Sequence, residues 1–403
     1  MILSLILFLS GFTLVTCRTL PVTEAESIRS LSRSVTIFGR HLLQSMDTSD
    51  KNVFISPLSI REALLLAANG AGGETFQSFE SALNVPGRRR SRRIPSYFEI
   101  TSAIENRTQR ESLFTMVNSL WISTKAHPYD RYLRECRTLF RAEAQQLDFS
   151  SHSSATKINE HISKNTNGLI PNAVAYLDPE TKMLLVNAIH FKHPFSIKFN
   201  ERDTFYEDFM WFNGQKRKVK MMHMTDNLRF LHTQNVSLVN LGYTHPDARM
   251  LLILPDQHGQ KALEEAIEHC FDPTTFESLV QEGSERIVEL SVPRFEIECT
   301  ESLKDPLSRL GMDKAFSDDA EFPRISPEPL NLDDVVHRSV LKVHEEGTEA
   351  AAVTAVWSMD ETSAQTLFKP KVFKLDRPFI VVLYDQRDEI ILFQGVVSQL
   401  GTS

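Results

Sequence analysis

Cysteine is scarce in this chain, which has four cysteines in 403 residues, so disulfides cannot be its main source of stability. Loss of an N-terminal segment containing Cys17 would leave Cys136, Cys270 and Cys299, an odd number that allows at most one intramolecular bridge. No cysteine lies in a C-x-x-C motif or a Cys/His array, so the sequence predicts no metal site. Stability must therefore come from a hydrophobic core.

Long apolar runs are missing after the first residues, which excludes a later transmembrane helix. The run at residues 2–16 is too short to cross a bilayer comfortably, and it lacks a basic residue before it. Val15 and Cys17 provide small residues for signal-peptidase cleavage before Arg18. We predict a secretory signal at residues 1–17 and one domain at residues 18–403. The alternatives are an uncleaved anchor or a buried first helix.

Motifs of enzymatic chemistry are also missing. There is no G-x-S-x-G, no Walker loop and no H-E-x-x-H, and the glycine-rich stretch at residues 69–75 lacks the lysine of a phosphate loop. The 13 histidines are scattered along the chain, and a net charge of −8 argues against nucleic-acid binding. We expect no catalytic residues and no cofactor; a hydrolase, the rival class, would turn over ester substrates by itself.

The rest of the chain contains both segments with the apolar spacing of helices and apolar runs typical of strands. Residues 26–46 have apolar positions at helical spacing, and Pro57 suits the first turn of a helix over residues 57–70. Several continuous apolar runs predict strands that are covered on both faces. No repeat or composition break divides the chain, so we predict one α+β domain with a large sheet. The predicted strands are residues 52–56, 182–191, 249–256, 286–298, 377–384 and 389–397.

One stretch near the C-terminus, EEGTEAAAVTAVWSMDETSAQ at residues 345–365, fits neither periodicity alone. Its three alanines favour a helix, whereas the following Val353, Val356 and Trp357 favour a strand. As a strand it would carry one row of small, uncharged side chains, because alternate residues face opposite sides. Gly347 would give the backbone freedom to turn into a sheet at the start of that row. The row comprises Thr348, Ala350, Ala352, Thr354, Val356 and Ser358.

This stretch resembles the hinge of the serpins, the serine protease inhibitor family, and further motifs in family order extend the resemblance over nearly the whole chain. It implies a serpin fold: about eight to nine helices around three β-sheets, with an exposed, insertable reactive-centre loop at about residues 345–370. The hinge residues are Glu345, Glu346, Gly347, Thr348, Glu349, Ala350, Ala351, Ala352, Val353 and Thr354. The other motifs are NVFISPLSIREAL (52–64), INEHISKNTNGLI (158–170), LLVNAIHFK (184–192), VKMM (219–222), LILP (252–255), VPRFEIE (292–298), LGMDKAF (310–316), RPFIVVL (377–383) and LFQGVV (392–397).

The resemblance has departures. The family's tryptophan and glycine near residue 194 are replaced by Phe195 and His193, and a second tryptophan is replaced by His161. A proline usual near the C-terminus is absent from VSQLG. These changes affect local packing and leave the hinge pattern intact.

By resemblance, a serine protease attacks the loop, and the cut strand inserts into the central sheet before the acyl-enzyme is hydrolysed. Family spacing puts the reactive bond between Glu361 and Thr362, but the loop is longer than in familiar members, so Met359 and Leu367 are alternatives. The acidic pair Asp360–Glu361 would otherwise serve only to solvate the loop. The resemblance implies a monomer whose partner is a target serine protease. The alternative function is a non-inhibitory carrier or chaperone.

Several secondary sites follow from the sequence. Residues 87–95, GRRRSRRIP, place five arginines within six positions of an acidic chain. We expect them to bind a heparin-like sulfated glycosaminoglycan; a furin-type processing site and a merely solvated run are the alternatives. Asn106 and Asn235 begin glycosylation sequons. Family resemblance implies an ion pair between Glu345 and Arg294, with a plain surface charge as the alternative. The five arginines are Arg88, Arg89, Arg90, Arg92 and Arg93.

Overall fold

The computed structural model of the chain describes residues 24–49, 51–84, 114–233, 235–348 and 369–401. The nine α-helices within these ranges are labelled α1 to α9; a π-helical turn at Ser308–Met312 joins the last two, and a short 3-10 helix lies at Glu201–Asp203. None of these helices is both long enough and apolar enough to cross a membrane. The helices are α1 (Glu24–Gln44), α2 (Pro57–Gly70), α3 (Gly73–Ala82), α4 (Asp130–Thr138), α5 (Ser154–Asn165), α6 (Gln260–Cys270), α7 (Pro273–Gln281), α8 (Lys304–Leu307) and α9 (Asp313–Phe316).

Helix α2 shows how a few residues at its start determine where a helix begins. Ser56 is its N-cap, and the Ser56 hydroxyl accepts a hydrogen bond from the backbone N–H of Ser59 at 3.2 Å. Pro57 occupies the first turn, where its missing N–H has no cost. All residues of α2 are buried, so this helix runs through the interior rather than along the surface.

A seven-stranded sheet forms one side of the fold, in the order β3-β2-β4-β12-β13-β5, with β11 paired to the other edge of β12. Most neighbours are antiparallel, but β12 runs parallel to β4 and β3 runs parallel to β2. The strands of this sheet are β2 (Phe114–Ser123), β3 (Glu143–Leu147), β4 (Met183–Phe191), β5 (His193–Pro194), β11 (Phe295–Ser302), β12 (Asp334–His344) and β13 (Gly347–Thr348).

The remaining strands form a nine-stranded network in the order β1-β16-β15-β9-β8-β7-β10-β14, with β6 paired to β7. Hydrogen bonds thus connect two networks, rather than three separate sheets, because the long strand β7 pairs with β6 near one end and with β8 near the other. These strands are β1 (Val53–Ile55), β6 (Thr204–Met210), β7 (Lys216–His232), β8 (Val236–Gly242), β9 (Ala248–Pro255), β10 (Ser284–Pro293), β14 (Lys371–Lys374), β15 (Phe379–Asp385) and β16 (Ile390–Val397).

The prediction of strands covered on both faces is confirmed for β4, β15 and β16, in which every residue is buried. It is wrong for residues 286–298, where β11 alternates between buried and exposed residues and β10 begins with four exposed residues. The run predicted as one strand at residues 286–298 is instead two strands, β10 and β11, divided at Arg294. The three cysteines in the described ranges are free and buried, so no disulfide joins them. Burial raises the thiol pKa of Cys136 and Cys270 to about 12 and that of Cys299 to about 11, so these side chains behave as small apolar groups.

Candidate functional site

The first residues of the hinge belong to the seven-stranded sheet. Gly347 and Thr348 form the two-residue strand β13, which pairs antiparallel with Val343 and His344 of β12 on one side. On the other side they pair antiparallel with His193 and Pro194 of β5. β13 therefore separates β12 from β5, and the chain leaves this position toward residues 349–368.

Beyond the end of β13, no strand in the described part of the chain separates β4 from β12. β4 and β12 pair directly and in parallel, from Leu184 opposite Asp334 to His190 opposite Val340. We call this contact between β4 and β12 the seam. A chain that continued from β13 along the seam would run antiparallel to both of its neighbours, because β13 is antiparallel to β12 and β12 is parallel to β4.

Gly347 is required by the local geometry. Its φ of +143° is in a region that L side chains rarely adopt. A Cβ built on this residue would lie 2.5 Å from the carbonyl oxygen of His193 and 2.5 Å from the Cα of Pro194. A larger residue would thus push β13 away from β5.

Thr348 lies in a fully buried aromatic environment. Its hydroxyl is 2.8 Å from the hydroxyl of Tyr243, whose ring stacks on Phe195 at a centroid distance of 5.1 Å. His193 also packs against Tyr243, at 6.5 Å. Burial raises the pKa of Tyr243, so this hydroxyl stays protonated and can hydrogen-bond to Thr348. Phe195 and His193, which stand where the family usually has a tryptophan and a glycine, therefore lie directly beside the hinge.

Glu345 enters the site from the end of β12 and is 4 % exposed. Its carboxylate lies 3.7 Å from Nη1 of Arg294 and accepts a shorter hydrogen bond, 2.9 Å, from the hydroxyl of Thr204. The Arg294 side chain is 47 % exposed, so the ion pair is partly screened by solvent. The carbonyl oxygen of Glu345 also accepts a hydrogen bond from the N–H of Phe199, and that of Glu346 accepts one from Phe195.

A buried polar network crosses the middle of the seam. Nδ1 of His337 on β12 lies 2.6 Å from the side-chain oxygen of Asn187 on β4. Nε2 of His337 accepts a hydrogen bond from the N–H of Ser56 at 3.3 Å, so the neutral form with a proton on Nδ1 satisfies both contacts. Burial lowers the pKa of His337 to about 3, and the imidazole is therefore uncharged near neutral pH. The Asn187 amide also donates to Ser59 and Asn118.

A small apolar cluster covers the seam from outside. Ile158 and Ile162 of α5 pack there with side chains of both seam strands, including Val186 of β4 and Val340 of β12. Separation of the two strands would therefore also divide this cluster beneath α5.

The site residues predicted from the sequence divide into three groups. Arg294, Glu345, Glu346, Gly347 and Thr348 are brought together at the top of the seam, as described above. Asn235 is exposed between β7 and β8. The others lie outside the described residues: the signal at 1–17, Arg88, Arg89, Arg90, Arg92, Arg93, Asn106, Glu349, Ala350, Ala351, Ala352, Val353, Thr354, Met359, Glu361, Thr362 and Leu367.

Sequence reasoning missed Thr204, Tyr243 and the network around His337. These residues lie far from their partners in the chain: 141 residues separate Thr204 from Glu345, and 105 separate Tyr243 from Thr348. The only available signal was the position of Ser56 as a helix cap, which predicts α2 but not its contact with His337.

Solved structures of known proteins share this architecture. Human thyroxine-binding globulin matches with a TM-score of 0.82 and 26% identity, covering 93% of this chain and all of that one. The fold class is therefore that of the serpins, as the sequence predicted.

Sequence comparison gives the family. A family model described as "Serpin (serine protease inhibitor)" matches residues 33–400, so the chain belongs to the serpin family. An uncharacterized serpin-like protein of Thermococcus kodakarensis is 31% identical over 385 residues, covering 94% of this chain and 88% of that one. An antitrypsin of Bombyx mori is 30% identical over 353 residues, covering 86% of this chain and 88% of that one.

Proposed function

We propose that this serpin is a secreted inhibitor that traps serine proteases as acyl-enzymes, through insertion of its cut loop into the seven-stranded sheet. The observation that carries the proposal is the position of β13, which lies at the open end of the seam with hydrogen-bonded strands on both sides. Further insertion would extend a strand that has already begun.

The pairing pattern gives this insertion a driving force. Closed, the seam has one parallel ladder between β4 and β12. Open and filled, it would have two antiparallel ladders, which are slightly more stable per residue than parallel ones. About ten additional hydrogen bonds at roughly 1 kcal/mol net each would be comparable with the stability of a protease domain, about 5–15 kcal/mol.

The distance that the protease would travel is also sufficient. About fourteen residues at roughly 3.3 Å each span on the order of 45 Å. A compact chain of this length has a radius of gyration of about 21 Å. An acyl-linked protease would be carried most of the way across the molecule, and its active site would be distorted before water could release it.

The reactive bond that we propose is Glu361–Thr362, with Met359 and Leu367 as alternatives. An acidic residue before the bond requires a protease with a basic specificity pocket, whereas Met359 or Leu367 suits a chymotrypsin-like or elastase-like enzyme. Incubation with a panel of serine proteases tests whether the protein is an inhibitor and also shows which bond is cleaved. We expect a complex that survives denaturing electrophoresis, and mass spectrometry of the released C-terminal fragment identifies the bond.

The second candidate function is a non-inhibitory carrier. Its support is the likeness to thyroxine-binding globulin, whose name states that it binds thyroxine. A carrier would be cleaved by the same proteases without forming a stable complex. Rapid cleavage with no complex across the whole panel would reject inhibition and favour this candidate.

Three accessory features belong to the same proposal. We infer secretion from the signal at residues 1–17, glycosylation at Asn106 and Asn235, and binding of a heparin-like polyanion by the arginine cluster at residues 88–93. Exposure of Asn235 leaves it accessible to a glycosyltransferase. Heparin-column elution before and after alanine replacement of the five arginines tests the polyanion site, and an unchanged elution position would reject it.

A further inference from the structure

A groove of about 400 Å³ lies beside β2 of the seven-stranded sheet. Its walls come from α4 with the loop that follows it, from β2, and from α5. A volume of this order is within the range of small-molecule sites. The lining residues are Met116, Val117, Asn118, Arg137, Arg141, Ala142, Glu143, His161 and Asn165.

The charge in this groove is mainly positive. Arg137 and Arg141 are exposed, and neither forms an ion pair with any residue in the described part of the chain. In contrast, Arg131 on the same helix pairs with Glu135 at 2.8 Å. Two guanidinium groups thus face solvent at one groove in a protein whose net charge is −8.

Neutral polar groups and an apolar floor complete the lining. The side chains of Asn118 and Asn165 also line the groove, where the Asn118 oxygen accepts a hydrogen bond from Asn187 and the Asn165 amide donates to the carbonyl oxygen of His161 at 2.7 Å. The partly buried Met116 contributes apolar surface, whereas Val117 is buried and faces the opposite side of β2. Guanidinium groups bind tetrahedral oxyanions through paired N–H donors. Among the described residues of the lining, Glu143 is the one carboxylate, and it opposes an anion.

We propose that this groove binds a small organic anion, a phosphate or sulfate ester whose organic part rests on Met116. Arg137 and Arg141 hold the oxyanion. The site consists of residues separate from the arginine cluster at 88–93, and it does not depend on protease inhibition.

Calorimetric titration of the full chain tests the proposal. The protein carries alanine at Arg88, Arg89, Arg90, Arg92 and Arg93, so that this cluster cannot bind the probes. Phenyl phosphate and phenyl sulfate are the probes, because they differ only in the oxyanion, and inorganic phosphate measures what the apolar floor adds. We expect saturable binding of at least one phenyl ester, tighter than inorganic phosphate and weakened by added salt.

Three variants in that background locate the site. R137A/R141A should lower the affinity about tenfold or more, since two charge-assisted contacts are lost. R134A is the matched control, because Arg134 is an exposed arginine of α4 that does not line the groove. E143Q should tighten binding roughly two- to fivefold by removing the opposing charge.

The outcomes are distinct. Preference for phenyl phosphate or for phenyl sulfate supports the proposal and identifies the ester. Absence of binding by both esters, or equal weakening by R134A and R137A/R141A, overturns it. Circular dichroism of each variant confirms that it is folded, so loss of affinity in an unfolded variant cannot be counted as support.

Discussion

The two sheets of this molecule hold their central strands together in different ways. In the nine-stranded network, β15 lies between β9 and β16 in antiparallel pairing, and each residue of β15 is buried. At the seam of the seven-stranded sheet, the pairing is parallel and buried polar side chains cross it, with Asn187, His337 and Ser339 fully buried. The proposed loop insertion would exchange the contact between β4 and β12 and would leave β9, β15 and β16 paired as they are.

The two kinds of pairing matter for the proposed insertion of the loop, which would act only at the seam. Polar groups at the seam are satisfied by specific partners, so a strand that entered there would have to supply or tolerate those contacts. β15 and β16 pair antiparallel, and both strands are buried along their whole length, as β4 is. We therefore expect changes at the two sheets to have different consequences before and after loop cleavage.

The largest effect is expected at Thr348, where replacement by arginine should abolish stable complex formation. Thr348 is fully buried against Tyr243, and an arginine would bring an unpaired charge into that aromatic environment. The protease should then cleave the variant as a substrate. T348S, which retains a small hydroxyl, is the matched control and should still form complexes on denaturing gels. Survival of T348R complexes at the wild-type level would contradict insertion along the seam.

In the nine-stranded sheet, I380A should destabilise the intact and the loop-cleaved protein by the same amount. Ile380 is fully buried in β15, and the cavity should cost about 2–5 kcal/mol. N187A is the contrasting seam variant: because Asn187 links β4 to His337 in the closed seam, we expect it to affect the intact form more. Denaturant unfolding of both forms measures the two differences. For each variant, the loss of unfolding free energy in the intact protein is divided by the loss in the cleaved protein. If this ratio is similar for I380A and N187A, the two sheets do not differ in the way proposed.

The seam also illustrates what the sequence predicts and what it does not. Ser56 and Pro57 define the start of α2, and the predicted range of that helix matches the observed one, because caps and turns are local. The division between β10 and β11 at Arg294 was missed, since an apolar run gives no sign of where it changes sheets. The partners of His337 could not be predicted at all, because Ser56 lies 281 residues away and only the assembled sheet brings them together.

His337 should make the seam sensitive to acid. In the folded protein its pKa is lowered from 6.5 to about 3 by burial. Above pH 6.5 both states are neutral at this residue; below it the unfolded chain binds a proton that the folded chain excludes, so stability falls. Between pH 6.5 and pH 5 the loss from this group should be about 2 kcal/mol.

Unfolding free energies at pH 7 and pH 5 for the wild type and H337Q test this expectation. Other groups titrate in both proteins, so the informative quantity is the difference between their pH dependences. H337Q should lose less stability on acidification by about the stated amount. Identical pH dependences would show that His337 is accessible to protons in the folded state.

The smallest effects are expected among the contacts of Glu345, where two partners can be compared directly. The Thr204 hydroxyl is 2.9 Å from the buried carboxylate, and T204V would leave that oxygen without its donor, at a cost of about 1–2 kcal/mol. Arg294 is 3.7 Å away and 47 % exposed, so R294A should cost less than about 1 kcal/mol. Thermal unfolding at low and high salt separates the two, because only the Arg294 contribution should diminish with salt. If R294A proves more costly than T204V, the ion pair rather than the short hydrogen bond anchors the hinge to the top of the sheet.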